Sequence, residues 1–367
     1  KISRERLAWV LDSTSSPVAI LIPFIGWGVY IMGLIQAEFE NLGVAESDYT
    51  TFVRAIPFQF YAILAIIMIP LVAFTKLDFS QMKKAEMRAE KENRAADLVQ
   101  EEIVHEIKNG YSLKHAKPIM VILPIVVVFA TLFGTLAPLG FPFAKVDGNA
   151  FRVALTMGYF FGAAVLMALI CLFKVMDFNE TFKVYVGGMK GMTDVAITLI
   201  LAWSLGKMIS GLGTAEFIVK FLQDMSFSAS LVPAAVFLFG AFISFSTGSS
   251  WGTFAIMMPL AIPMAHAFGI PFYIAVGAVL SGGLFGDHCS PISDTTILSS
   301  TGAGCGLVEH IKTQLPYAAV NGTIAFIAYI ITGLTGSEAA LGFAVIALIV
   351  VMAVLNRISA ARLAGKE

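Results

Sequence analysis

Long apolar runs recur along this chain, each about as long as a helix that crosses a bilayer. Such a helix needs about 20 mostly apolar residues, because it rises 1.5 Å per residue through a core about 30 Å thick. The runs of this kind are Pro17–Gln36, Phe52–Phe74, Pro118–Pro138, Phe151–Phe173, Val195–Leu212, Leu315–Leu334 and Ala339–Leu355. Since lipid satisfies no backbone polar group, we predict an all-α polytopic membrane protein.

The composition agrees with this class and excludes several others. Hydrophobic residues make up 57% of the chain and charged residues 13%, whereas ordinary globular domains carry about 25% charged residues. The formal net charge is −1, so the chain lacks the excess of basic residues that is typical of nucleic-acid-binding proteins. Cys171, Cys289 and Cys305 are far apart and form no C-x-x-C pair, which indicates neither a disulfide framework nor a zinc site. We expect no bound cofactor.

Charge in the loops predicts the orientation. The segment 37–51 is acidic and has no Lys or Arg, so it should lie outside, whereas the lysines between 174 and 190 should lie inside. The segment 75–117 is dense in both charges and predicts a cytoplasmic connector between two membrane parts. The predicted organisation is 1–74 as the C-terminal part of a first repeat, 75–117 as the connector and 118–367 as a second repeat. The chain begins at Lys1, and we expect an N-terminal part of the protein to be missing.

A polar run interrupts the apolar sequence at Gly286–Thr296. Pro291 lacks an amide hydrogen and disfavours helix in the residue before it, so a helix should break there and free carbonyl and amide groups. Carboxylates, hydroxyls and freed carbonyls are hard oxygen ligands, which suit a small hard cation such as Na⁺. A charged side chain at membrane depth costs several kcal/mol and often marks an ion path. The alternative is that Asp294 and its neighbours only cap the second half-helix.

The candidate ligands in this run are Asp287, Ser290, Ser293, Asp294, Thr295 and Thr296. Na⁺ is predicted in the Asp294/Thr295 region. The residues that we predict to be proton-coupled are Asp287, Asp294, His288 and Asp194. His288 is open to a second interpretation as a fixed hydrogen-bond partner, and Asp194 to one as a helix N-terminal residue. A metal site from Asp287, His288 and Cys289 is disfavoured, because adjacent residues rarely point at one centre.

A second polar run lies between two short apolar arms, Leu231–Phe245 and Phe254–Phe268. The arms are short for a full crossing, so they predict a re-entrant hairpin with its turn near the midplane. The predicted ion or substrate contacts in the turn are Thr247, Gly248, Ser249 and Ser250. The same letters match the hydrolase pattern G-x-S-x-G, with Ser250 as nucleophile, but that pattern requires a strand before the serine. Packing of small residues between helices is the other alternative.

Two further features complete the pattern. Asp12-Ser13-Thr14 precedes one apolar stretch as Asp294-Thr295-Thr296 precedes another, and the predicted topology makes the two stretches cross in opposite directions. Inverted repeats with interrupted helices are typical of transporters, so Asp12, Ser13 and Thr14 are added to the predicted site. The glycines of Gly282–Gly286 lack the strand-then-helix setting of a phosphate loop, and we predict close helix contact there.

Four segments carry a resemblance to a known family. They are Leu11–Val18, Gly188–Trp203, Phe245–Ala261 and Gly286–Thr296. With them the chain resembles the NhaC-type sodium/proton antiporter family. The resemblance implies two inverted repeats, each with a hairpin and a broken helix, of which the first hairpin is absent here. It also implies a multi-pass protein of the bacterial inner membrane.

The expected function is secondary active exchange of Na⁺ for H⁺. The alternative is a sodium-coupled carrier of a small organic acid or amino acid, since the family includes such members. An intramembrane hydrolase is a third hypothesis, from a different class. The expected partners are the lipid bilayer and a small cation, with a small organic solute under the alternative and no nucleic acid. The sequence leaves the oligomeric state open, a homodimer included.

Overall fold

The structure is a computed structural model of the chain, and it describes most of the sequence. The described residues are 2–23, 25–91, 117–141, 148–191 and 211–364, together with 193, 197, 200, 201, 204 and 208. The predicted proton-coupled residue Asp194, most of the predicted span Val195–Leu212 and the connector beyond Lys91 as far as residue 116 lie outside them.

All regular elements in these ranges are helical, which confirms the predicted all-α class. The first five helices are α1 Arg4–Ala19, α2 Gly26–Leu42, α3 Asp48–Ala55, α4 Phe60–Thr75 and α5 Ser80–Lys91. They are followed by α6 Ile119–Leu136, α7 Gly148–Leu172, α8 Phe178–Gly191, α9 Thr214–Asp224 and α10 Val232–Thr247. The last are α11 Ser250–Phe268, α12 Phe272–Cys289, α13 Asp294–Gly302, α14 Leu307–Thr335 and α15 Ala339–Ala364. Single 3₁₀ turns occur at Ile56–Phe58, Ala137–Leu139 and Ala229–Leu231.

Seven helices in the described part are long and apolar enough to cross a membrane. They are the helices α6, α7, α10, α11, α12, α14 and α15, with small differences in their bounds. The pair Asp48–Phe58 and Phe60–Thr75 passes the same test as one broken span, bent by 49°. The predicted polytopic character is therefore confirmed. Helices α10 and α11 reach crossing length, so they are longer than the predicted arms, and the re-entrant path of the hairpin stays a prediction.

The predicted single span Pro17–Gln36 is wrong, because the helix is interrupted between Ala19 and Gly26. Helix α1 continues through Pro17 to Ala19, and α2 begins only at Gly26. Pro23 lies in the break, and Gly28 packs on it so closely that a Cβ would come 2.6 Å from the Pro23 Cα atom. The predicted outer loop 37–51 is also mostly helical, since α2 runs to Leu42 and α3 begins at Asp48.

The described chain divides into two compact units, Lys1–Asn93 with Leu199–Glu367, and Arg94–Thr198. In the second unit α6 packs along α7, where Gly162 lies against Val128 and the carbonyl of Pro124. The predicted domain boundaries at 74/75 and 117/118 stay a prediction. All the residues of the candidate site below belong to the first unit.

Helix α12 lies at the centre of the first unit. Its contact with α10 depends on glycine: a Cβ at Gly282 would lie 2.4 Å from the Phe237 carbonyl oxygen, and one at Gly286 would lie 2.3 Å from that of Ala241. The predicted close helix contact at Gly282–Gly286 is thus confirmed. Such proximity of two backbones is what small residues permit in membrane bundles. It fixes the hairpin of α10 and α11 against the polar end of α12.

Candidate functional site

The helix breaks where the sequence predicts. Helix α12 ends at Cys289, two residues before Pro291, and α13 begins at Asp294. The Ser293 hydroxyl caps α13 by accepting the Thr296 amide hydrogen at 3.4 Å. The carbonyls at the end of α12 and the amides at the start of α13 have no partner further along a continuous helix. A polar junction therefore lies at this break, buried at Ser290 and Ser293 and exposed at Pro291 and Asp294.

Asp287 lies at this junction, and its side chain is buried, with 1% exposure of the residue. Its Oδ2 accepts from the Ser250 hydroxyl at 3.3 Å and from the Thr295 hydroxyl at 3.5 Å. Both distances exceed the usual O–H···O range of about 2.5–3.0 Å, so the hydroxyls stand near the carboxylate without crowding it. Its Oδ1 has no hydrogen-bond partner among the described residues. Three elements thus present oxygens to one another: the hairpin turn, α12 and α13.

Asp12 forms a second polar cluster and is fully buried. Its Oδ2 accepts from Gln314 Nε2 at 2.6 Å and from the Thr296 hydroxyl at 3.3 Å. The Nε2 atom of His310 lies 3.5 Å from the same oxygen. Oδ1 has no hydrogen-bond partner in the described part of the chain, and His288 Nε2 lies 3.8 Å from it. Helices α1, α12, α13 and α14 meet at this one carboxylate.

His288 is held in one orientation by two contacts. Its Nε2 is 3.2 Å from the Asp12 backbone carbonyl oxygen, which only accepts, so Nε2 carries a hydrogen. Its Nδ1 lies 3.1 Å from the Tyr61 hydroxyl. In the neutral ring Nδ1 therefore accepts from Tyr61. These contacts favour the interpretation of His288 as a fixed hydrogen-bond partner, and its predicted proton-coupled role stays a prediction.

The two carboxylates lie on different faces of the broken helix. Asp287 and His288 are consecutive in α12, so their side chains leave the helix about 100° apart. Thr295 and Thr296 are likewise consecutive in α13, and they bond Asp287 and Asp12 respectively. The two aspartates share no hydrogen-bond partner among the described residues. The two aspartates therefore belong to two adjacent polar clusters.

The structure places the other predicted residues in two groups. Buried ones are Ser13, Gly248, Ser290 and Ser293, with Ser249 partly buried as the N-cap of α11. Exposed ones are Thr14, Thr247 and Asp294. The hydroxyls of Thr14 and Thr247 donate to carbonyls of their own helices. Asp294, the first residue of α13, accepts the Thr295 amide hydrogen on its Oδ1 at 2.9 Å. Their predicted binding roles stay predictions.

Sequence reasoning missed His310, Gln314 and Tyr61. His310 and Gln314 stand four residues apart, so they share a face of α14. The predicted span began at Leu315, whereas the helix begins at Leu307, and both residues were left out of it. Their signal was a polar pair at helical spacing just before an apolar stretch. Tyr61 gave no signal, because an aromatic residue in an apolar helix is ordinary.

Two alternatives find no support in this geometry. The serine of G-x-S-x-G, Ser250, begins a helix that follows another helix, whereas the hydrolase pattern needs a strand there. In the described part of the chain, no group of three His, Cys, Asp or Glu side chains is arranged to hold a metal ion.

Comparison with known proteins places the chain in a family. The sequence model of the Na⁺/H⁺ antiporter family matches residues 18–334. The chain belongs to the Na⁺/H⁺ antiporter family. An uncharacterized protein of Haemophilus influenzae is 34% identical over an alignment that covers 97% of this chain and 69% of that protein. No solved structure matches the chain.

Relatives with named activities match shorter stretches. The Na⁺/H⁺ antiporter NhaC of Alkalihalophilus pseudofirmus is 35% identical over 91 residues, 25% of this chain and 20% of that protein. A malate-2H⁺/Na⁺-lactate antiporter of Bacillus subtilis is 31% identical over 125 residues, 34% of this chain and 26% of that protein. The family identifies the chain as a multi-pass membrane transporter of the antiporter type and not an enzyme, which confirms the resemblance drawn from the motifs.

Proposed function

We propose that the protein exchanges Na⁺ for H⁺ across the bacterial cytoplasmic membrane, with Asp287 as the carboxylate that both occupants use. The observation that carries the proposal is the buried Asp287 with one oxygen lacking a described partner and two hydroxyls beside the other. Family membership supports antiport in general. Hard oxygen donors around one negative charge suit Na⁺.

Exchange follows from the free energy needed to keep this buried carboxylate charged without a cation or a proton. A buried anion without a partner is several kcal/mol less stable than one that is neutralised. Asp287 is neutralised either by a bound cation or by a proton, and the two exclude each other at one oxygen pair. If the empty, charged site reorients slowly, each inward movement of one occupant is matched by outward movement of the other. Ser250 and Thr295 then supply neutral oxygens to the cation only.

The test is transport by the full-length protein in proteoliposomes that hold a preformed pH gradient. Adding Na⁺ should collapse the gradient, and Asp287→Asn should abolish that response while the protein still elutes as a folded species. Asp224→Asn, at the exposed end of α9, is the matched control and should exchange at the wild-type rate. Undiminished exchange by Asp287→Asn would refute the assigned role. Asp294→Asn in the same assay tests the other predicted carboxylate.

A second candidate is sodium-coupled transport of a small organic acid. It is favoured by the similarity to the malate-2H⁺/Na⁺-lactate antiporter, over about a third of this chain. Labelled malate, lactate and amino acids should be offered to the same proteoliposomes with and without a Na⁺ gradient. If one of these solutes is taken up in a Na⁺-dependent way, and Na⁺ moves no protons when that solute is absent, the second candidate would replace the first proposal.

A further inference from the structure

We propose that Asp12 and Gln314, with His310 beside them, form a second site for a compact monovalent cation, separate from the site at Asp287. The cation is either Na⁺ or an ammonium ion, since both seek anionic and amide oxygens. The proposal deepens the proposed exchange and rests on it in one respect only, that the protein handles a small cation. The residues concerned belong to the polar cluster around Asp12, on another face of the broken helix.

The orientation of the Gln314 amide is fixed by its partners. One side-chain nitrogen donates to Asp12 Oδ2 at 2.6 Å and to the His288 carbonyl oxygen at 2.8 Å. Both partners only accept, so the atom between them is the nitrogen, and both its hydrogens are used. The Oε1 atom therefore points elsewhere. It is buried and has no hydrogen-bond partner among the described residues, and the residue is 1% exposed.

The donors around Asp12 gather on one oxygen. Gln314 Nε2 and the Thr296 hydroxyl donate to Oδ2, and His310 Nε2 lies 3.5 Å from the same oxygen without a hydrogen bond, whereas Oδ1 accepts from none of the described groups. A buried acceptor left unpaired costs roughly 1–3 kcal/mol, and more when it is charged. Asp12 Oδ1 and Gln314 Oε1 are two such oxygens, on side chains that are hydrogen-bonded to each other, and both are hard donors of the kind that a small cation binds.

His310 lies beside Asp12 and Gln314. It is fully buried, lies one helical turn before Gln314 on the same face of α14, and neither ring nitrogen has a hydrogen-bond partner in the described chain. A neutral imidazole has one nitrogen that accepts, which an ammonium N–H uses and Na⁺ does not require. Because of this nitrogen acceptor, ammonium can compete with Na⁺ for the site at Asp12. The groups named at Asp287 offer only oxygen acceptors.

The experiment measures binding of ²²Na⁺ by the purified full-length protein in lipid nanodiscs. The wild type should bind two Na⁺ per chain if both sites take sodium. The Asp287→Asn variant should still bind one Na⁺ per chain. Adding Asp12→Asn or Gln314→Met to that variant should abolish the remaining Na⁺ binding. Gln314→Met keeps the side-chain length and deletes the oxygen. Gln36→Met in α2, where Nε2 bonds Glu40, is the matched control and should change nothing.

Ammonium is tested on the same Asp287→Asn protein. If it binds no ²²Na⁺, NH₄Cl should still raise its unfolding temperature relative to choline chloride, and the shift should vanish when Asp12→Asn is added. Asp12→Asn is nearly isosteric, so it serves if Gln314→Met does not fold. A folded Asp287→Asn protein that responds to neither cation overturns the second site. Wild-type protein that exchanges no Na⁺ for H⁺ overturns the proposed function instead, whether or not the second site binds.

Discussion

At the scale of single residues, the hydroxyl of Ser250 connects the hairpin to the broken helix. Ser250 is the first residue of α11, buried, and its Oγ is 3.3 Å from Asp287 Oδ2. Gly248 makes this possible, because its φ of +66° ends α10 and turns the chain so that α11 can start two residues later. A Cβ at Gly248 would also lie 2.9 Å from the backbone of Ile292, in the break of the other helix. The turn and the break therefore touch.

Ser250→Ala should weaken Na⁺ use without removing it. Losing one hydroxyl that contacts a charged group costs about 1–2 kcal/mol, so we expect the Na⁺ concentration for half-maximal exchange to rise about 5- to 30-fold. Ser246→Ala is the control, because that exposed hydroxyl donates to the carbonyl of Phe242 in its own helix. Initial rates of gradient collapse against Na⁺ concentration measure both. An unchanged half-maximal concentration in Ser250→Ala would remove the hydroxyl from the cation site.

At the scale of helices, the close packing of α10 on α12 holds the site together. Gly282 and Gly286, one turn apart in α12, bring two backbones into contact, and Ser244 adds a hydrogen bond from its hydroxyl to the Gly283 carbonyl oxygen. Asp287 directly follows the last of these glycines. Any widening of the contact at Gly286 therefore moves the carboxylate relative to the hairpin turn.

Gly286→Ala should destabilise the protein and impair exchange together. The added methyl would overlap the Ala241 carbonyl oxygen and the Phe245 backbone nitrogen, and such overpacking costs about 1–3 kcal/mol. Gly342→Ala is the control: nothing lies within 4 Å of its added Cβ, and in a helix it should stabilise by about 0.4–1 kcal/mol. Thermal unfolding midpoints in detergent measure the difference. Equal midpoints for the two variants would mean that the helices can separate at no cost.

At the scale of the whole first unit, the start of the connector is bound to the membrane helices. We predicted a cytoplasmic connector at 75–117, but its described part includes α5, which packs on α1 and α14. Arg6 of α1 forms ion pairs with Asp78 and, at 3.1 Å, with Glu86, and Tyr317 of α14 donates to Asp78 Oδ1 at 3.0 Å. The same two helices, α1 and α14, carry Asp12 and Gln314, so the network restrains the helices that build the polar cluster around Asp12.

Asp78→Ala should destabilise this unit strongly. The side chains of Arg6 and Asp78 are only 11% and 10% exposed, and removing one partner of a nearly buried pair costs about 3–5 kcal/mol. Lys84→Ala in α5 is the contrasting variant, since that residue is exposed, and it should change the free energy of unfolding by no more than about 0.5 kcal/mol. Denaturant unfolding of both proteins gives the two free energies. Similar losses would show that burial of the pair is energetically irrelevant.

Local chemistry made part of the site predictable. The break at Pro291, the turn at Gly248 and the close contact at Gly282–Gly286 each depend on a few neighbouring residues, and each was predicted from them. The break between α1 and α2 was not, because the apolar sequence from Pro17 to Gln36 is continuous and its interruption depends on how Pro23 and Gly28 pack.

The sequence alone determined that this is a helical membrane protein with a polar break in one of its helices. Hydropathy and proline geometry can do this because each acts within a single segment. Only the tertiary structure decided which polar groups meet. It buried Asp287 and left Asp294 exposed seven residues later, and it brought Gln314 to Asp12 across 302 positions of the chain. The burial of a carboxylate and the identity of its hydrogen-bond partners depend on neighbours from distant helices, which no local sequence pattern contains.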